Sequence, residues 1–113
     1  MCALNYDSEI HILRELDMPK CYWIAHPNLT NPDKFVSDYA SKVGDVVEQF
    51  DGKFLVRGGE VTYREGDETD LDVVVEFPSR EKAIECKNSP EYKAIEGGRI
   101  NNVTGMFIMV DGV

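Results

Sequence analysis

The sequence predicts an α+β fold, with one antiparallel sheet covered on one face by helices. Two observations lead there. Short runs rich in β-branched and aromatic residues alternate with two stretches of helical periodicity, in the order β-α-β-β-α-β. The clearest strand, Leu71-Asp-Val-Val-Val-Glu-Phe77, carries apolar residues at both parities, so both of its faces meet other protein. A chain of 113 residues is one domain's worth, since domains cluster near ~100–150 residues.

Residues 1–19 read as an N-terminal extension. Asp7 or Ser8 can cap a short helix carrying Ile10, Leu13 and Leu16, and Pro19 would end it. Met18 is equally placed to start translation, and both readings stay open. The compact domain spans residues 20–113. Its first strand is Cys21-Tyr-Trp-Ile-Ala-His26, closed by Pro27 and Asn28. Asn31 is a cap and Pro32 suits the first helical position. Phe35, Tyr39, Val43, Val46, Val47 and Phe50 then recur every three or four residues as one apolar helical stripe, stopped by Asp51-Gly52. Lys53-Phe-Leu-Val-Arg57 is the second strand. Gly58-Gly59 breaks or bulges it before Glu60-Val-Thr-Tyr-Arg-Glu65 continues. The strand at residues 71–77 follows a polar turn. Ser79 caps a helix through Ala83, Ile84 and Cys86, and Ser89-Pro90 restarts or kinks it. Tyr92 and Ile95 face inward, Gly97-Gly98 ends the helix, and Met106-Phe-Ile-Met-Val110 is the last strand. This is the ferredoxin-like plan, the split βαβ sandwich. Helices protect one sheet face only, so the other is expected to meet a second sheet from an identical subunit, giving a homodimer.

Composition narrows the partners. Twelve Lys plus Arg against 21 Asp plus Glu give a net charge of −9, which argues against nucleic acid and anionic membranes. No apolar run approaches the ~20 residues of a spanning helix, and the first residues lack the pattern of a signal peptide. A cytoplasmic location is therefore expected. Cys2, Cys21 and Cys86 form no metal-binding spacing with His11 or His26, and Cys21 and Cys86 read as buried structural thiols. Glu65, Asp67, Glu68, Asp70 and Asp72 lack the calcium-loop spacing and read as a solvated hairpin tip. With no phosphate loop, dinucleotide motif or haem-attachment motif, no cofactor and no metal are expected.

A family resemblance covers residues 20–113. Tyr22-Trp-Ile-Ala-His26, Phe54-Leu-Val-Arg-Gly-Gly59, Glu65-Gly66, Val74-Val-Glu-Phe-Pro-Ser79 and Asn88-Ser-Pro-Glu-Tyr92 occur in consistent order. Together with the closing Val110-Asp-Gly-Val113, they resemble the small proteins known as domain of unknown function 1330. The resemblance implies a dimeric α+β barrel, two ferredoxin-like subunits placed sheet to sheet, and no particular reaction. Relatives of that broader fold include cofactor-independent monooxygenases, muconolactone isomerases and haem-dependent enzymes. This chain departs from the pattern at Cys86 and Lys87, where many members carry aromatic residues, and at Pro27, where a strand usually runs on.

Arg57 is the leading candidate site residue. A planar, permanently charged guanidinium at the end of an apolar strand can clamp a carboxylate or polarise a carbonyl, and its structural alternative is an ion pair with Glu65. Glu65 and His26 are the candidate proton-transfer groups. Ser89, Tyr92 and Arg99 are candidate ligand contacts, although Ser89 also suits a helix cap and Arg99 a helix C-terminus. The resulting expectation is a pocket between sheet and helices for a small anionic or carbonyl-bearing molecule, with cofactor-independent isomerase or monooxygenase-type chemistry. A metabolite-binding module without turnover and a purely structural dimer are the alternatives.

Overall fold

The computed structural model describes residues 18–113, so Cys2, His11 and the helix expected around Leu13 lie outside the described residues. Its elements run β1 (Cys21–Leu29), α1 (Pro32–Phe35), a π-helical segment (Val36–Ala40) and α2 (Ser41–Gln49). They continue with β2 (Lys53–Arg57), β3 (Val73–Phe77), α3 (Arg80–Asn88), α4 (Pro90–Ile100) and β4 (Val103–Asp111). The four strands form one antiparallel sheet in the order β2-β3-β1-β4, the ferredoxin-like arrangement. β1 pairs with β3 from Cys21↔Phe77 to Ala25↔Val73, and with β4 from Cys21↔Asp111 to Leu29↔Val103. β2 slips by one residue against β3 between Phe54 and Val56.

Strand alternation sends Cys21, Trp23, Ala25, Val75 and Phe77 into the core beneath the helices. The expected helical stripe meets them, with Phe35, Tyr39, Val43, Val46 and Val47 all buried. Ala83 and Cys86 from α3 and Tyr92 from α4 complete the layer. The Trp23 ring is the hub, with centroids 4.8 Å from Phe77, 5.2 Å from Tyr92 and 5.5 Å from Phe107. Burying each such side chain is worth about 1.5–3 kcal/mol, which makes this cluster the main source of stability. Caps work as read: Asn31 accepts from the Lys34 amide, Ser79 from Lys82 and Ser89 from Tyr92.

Three sequence expectations need correction. Residues 60–65 form no strand. Gly58 and Gly59 take φ of +77° and +94°, a left-handed turn that leads the chain out of the sheet into a loop reaching Asp72. β1 does not close at Pro27 but runs on to Leu29, and the Pro27 carbonyl accepts from the Asp70 and Leu71 amides. The last helix passes through Gly97-Gly98 and ends at Ile100. Gly98 serves contact, not termination: a Cβ there would sit 2.8 Å from the backbone of Asp38 in the π segment.

Among the described residues no helix lies over the other sheet face. Tyr22, Ile24 and His26 lie on it, beside Val110, Ile108 and Met106 of β4 and Val74 of β3. Met106, Ile108 and Val110 are 42 %, 42 % and 41 % exposed in the single chain.

Candidate functional site

A cavity of about 70 Å³ lies between the sheet and the first helical layer. Trp23, Ala25, Val75 and Phe107 form its sheet wall, and Phe35, Tyr39 and Val43 its helical wall. Among the described residues the charged side chains on the wall are Arg57 and Arg99.

Arg57 ends β2 on the helix-facing side. Its guanidinium lies 4.3 Å from the Phe54 ring centroid, a cation–π contact, and Nη2 donates to the carbonyl of Ala40 at 2.5 Å. Ala40 is the last residue of the π segment, a kind of irregularity frequent at functional sites. Gly44 packs beside it, where a Cβ would stand 3.5 Å from Nη1, an ordinary contact. Among the described residues Arg57 has no carboxylate partner, so the pairing with Glu65 does not form. Glu65 is exposed in the 58–72 loop and accepts from the Tyr63 hydroxyl instead.

Arg99 arrives from the last turn of α4, with its guanidinium 4.4 Å from the Phe107 ring centroid. It already shares charge with Glu96, at 3.6 Å. Its Nε donates to the Tyr92 hydroxyl at 3.1 Å, and that hydroxyl lies 2.8 Å from the hydroxyl of Tyr39. Burial pushes both phenols above their ordinary range, so at neutral pH they serve as hydrogen-bonding hydroxyls rather than bases. Tyr92 itself is fully buried behind the wall.

The remaining candidates sit elsewhere. Ser89 joins α3 to α4: its hydroxyl donates to the Cys86 carbonyl at 2.8 Å and accepts from the Tyr92 amide at 3.1 Å. His26 lies on the open sheet face, with Nδ1 2.7 Å from Asp72 Oδ1. Asp72 also accepts from Arg64 and Thr69, both at 3.2 Å. The His26 hydrogen bond, aided by Arg64 and Thr69, holds the Asp72 carboxyl below its usual range. Thus Arg57 and Arg99 share the cavity, Tyr92 backs it, and His26, Glu65 and Ser89 lie apart from it. Tyr39 is a cavity residue that the sequence does not mark, because its apolar spacing reads as core. Cys21 and Cys86 are buried as expected, and burial pushes the Cys86 thiol to about 12. Among the described residues no cluster of metal-ligating side chains occurs, and no helix is long and apolar enough to cross a membrane.

Residues 20–113 match the family model described as Domain of unknown function (DUF1330). No curated protein matches the sequence significantly. Among solved structures, the RPA0582 protein of unknown function from Rhodopseudomonas palustris is similar, with 19 % identity and a TM-score of 0.62 over 93 % of this chain and 92 % of that one. Its methylated form gives 18 % identity and a TM-score of 0.64, over 93 % and 90 % of the two chains. SnoaB, a cofactor-independent oxygenase from Streptomyces nogalater, gives 11 % identity and a TM-score of 0.53 over 80 % and 90 %. At these identities the likeness is one of fold.

Proposed function

The chain belongs to the DUF1330 family, and from its cavity we propose that it binds a small anionic or carbonyl-bearing organic molecule oriented by Arg57. One observation carries this reading: among the described residues, the Arg57 guanidinium reaches an apolar cavity without a carboxylate partner. A ligand carboxylate there would gain charge-assisted, bidentate hydrogen bonds beside walls that contribute apolar contact. Arg99 is the weaker anchor, being shared with Glu96. Turnover is the second reading. Two guanidiniums beside an apolar cavity can stabilise an enolate, and SnoaB supplies a precedent for cofactor-independent oxygenation on a related fold.

The working unit in this proposal is a homodimer. Ile24, Val74, Ile108 and Val110 form an apolar sheet face, and an identical face is its simplest complement.

The test uses the protein's one tryptophan, Trp23, which lines the cavity. Titration with benzoate and with 4-oxopentanoate should change its emission, and Arg57→Ala should weaken binding by ~10–100-fold, the size of a lost charged hydrogen bond. Unchanged affinity in that variant would remove Arg57 as the anchor. Incubating the bound acid with the protein and assaying for product separates turnover from simple binding.

A further inference from the structure

The cavity's polar side chains all present donors. Arg57 commits one N–H to the Ala40 carbonyl and keeps others for a ligand. The indole N–H of Trp23 is the single buried side-chain polar atom without a hydrogen-bond partner among the described residues, and Trp23 lines the cavity. The third donor follows from hydrogen-bond accounting. Arg99 can only donate, so the Tyr92 oxygen accepts from it. If Tyr92 also accepted from Tyr39, its own proton would be stranded in a fully buried position. The proton of Tyr92 therefore goes to Tyr39, and the Tyr39 proton is left for the cavity that Tyr39 lines. Arg57 and Tyr39 thus offer donors at the cavity wall, the Trp23 N–H lies buried behind it without a partner, and the Tyr39 oxygen is the one side-chain acceptor that the described residues place there.

Resting on the binding role proposed above, we infer that the ligand is an oxo-carboxylate. Its carboxylate meets Arg57, and a second oxygen that only accepts, a ketone or enolate-type carbonyl, meets the Tyr39 hydroxyl. A hydroxyl at that second position could accept the same bond, but its own proton would find no side-chain acceptor on the described wall other than Tyr39, the group already donating to it. An ammonium would bring a cation beside two guanidiniums. A plain alkyl acid would leave the wall's donors unanswered.

The test is a matched series read by Trp23 emission on the wild-type protein: 4-oxopentanoate and 5-oxohexanoate, each against its hydroxy and its unsubstituted counterpart. At least one oxo acid should bind ~10-fold tighter than both counterparts, the scale set by stranding one buried donor. Tyr39→Phe also strands the Tyr92 proton, so its thermal midpoint should fall; measured well below that midpoint, the preference for the oxo acid over its unsubstituted counterpart should shrink. If all members bind alike and depend on Arg57, the oxo-acid inference fails while the binding role stands. If none binds, both fail.

Discussion

Arg57 is held where it is by neighbours in two layers, stacked on Phe54 from its own strand and bonded to Ala40 of the helix above. That geometry needs a planar fork. Arg57→Lys keeps the charge but loses the stacking and the bidentate reach, so ligand affinity in the emission titration should still fall by ~10-fold. Asp72 gives a second expectation. Its folded-state carboxyl lies below the ordinary range, mainly through His26, so its contribution to stability is complete above the unfolded carboxyl range near ~4. It is lost as pH falls through the lower folded value. In acid-titrated thermal melts Asp72→Asn should lower stability at neutral pH and flatten the loss on the acid side. Arg57 was legible in the sequence because a charge closing an apolar strand is locally conspicuous. His26 was placed correctly in parity with Tyr22 and Ile24, yet alternation defines two faces without saying which one the helices cover. Tyr39 was hidden for a related reason: periodicity marks a side chain as buried but cannot show that a cavity opens beside it.

At the scale of elements, the joint between α3 and α4 depends on Ser89. Its hydroxyl satisfies one amide of the helix that starts and one carbonyl of the helix that ends. Ser89→Ala should cost about 0.5–2 kcal/mol in denaturant melts, the range for a lost cap, with ligand affinity nearly unchanged. The paired glycines of α4 should respond in opposite directions. A Cβ on Gly97 meets nothing nearer than the Asn101 amide nitrogen at 3.6 Å, so Gly97→Ala should stabilise by about 0.4–1 kcal/mol. A Cβ on Gly98 would press into the Asp38 backbone, so Gly98→Ala should destabilise by about 1–3 kcal/mol. The caps at Asn31, Ser79 and Ser89 could be read from sequence because capping is local chemistry. Gly97-Gly98 could not, because the reason for Gly98 lies on another helix. The 60–65 segment misled similarly: Val61 and Tyr63 mimic strand alternation, but they are 46 % and 75 % exposed and no strand pairs with them.

For the whole molecule, the ferredoxin-like arrangement was readable from element order, since β-α-β-β-α-β leaves few ways to close an antiparallel sheet. The sheet face that no described helix covers sets the expectation at this scale. Sedimentation should report a dimer, and Ile108→Lys, placing a charge in the middle of the β1–β4 apolar surface, should yield monomers. Each copy carries a net charge of −9, so association should tighten as ionic strength rises from about 0.01 M to 0.15 M, where screening shortens to ~8 Å. The two buried thiols offer a last consequence. Cys21 is part of the sheet and Cys86 belongs to α3 above it, and neither is accessible in the folded layers. With Cys2 replaced by serine, a water-soluble thiol reagent can label them only when sheet and helices part. The labelling rate is thus a stopwatch for the separation of the two layers, and a molecule lodged between them should slow it.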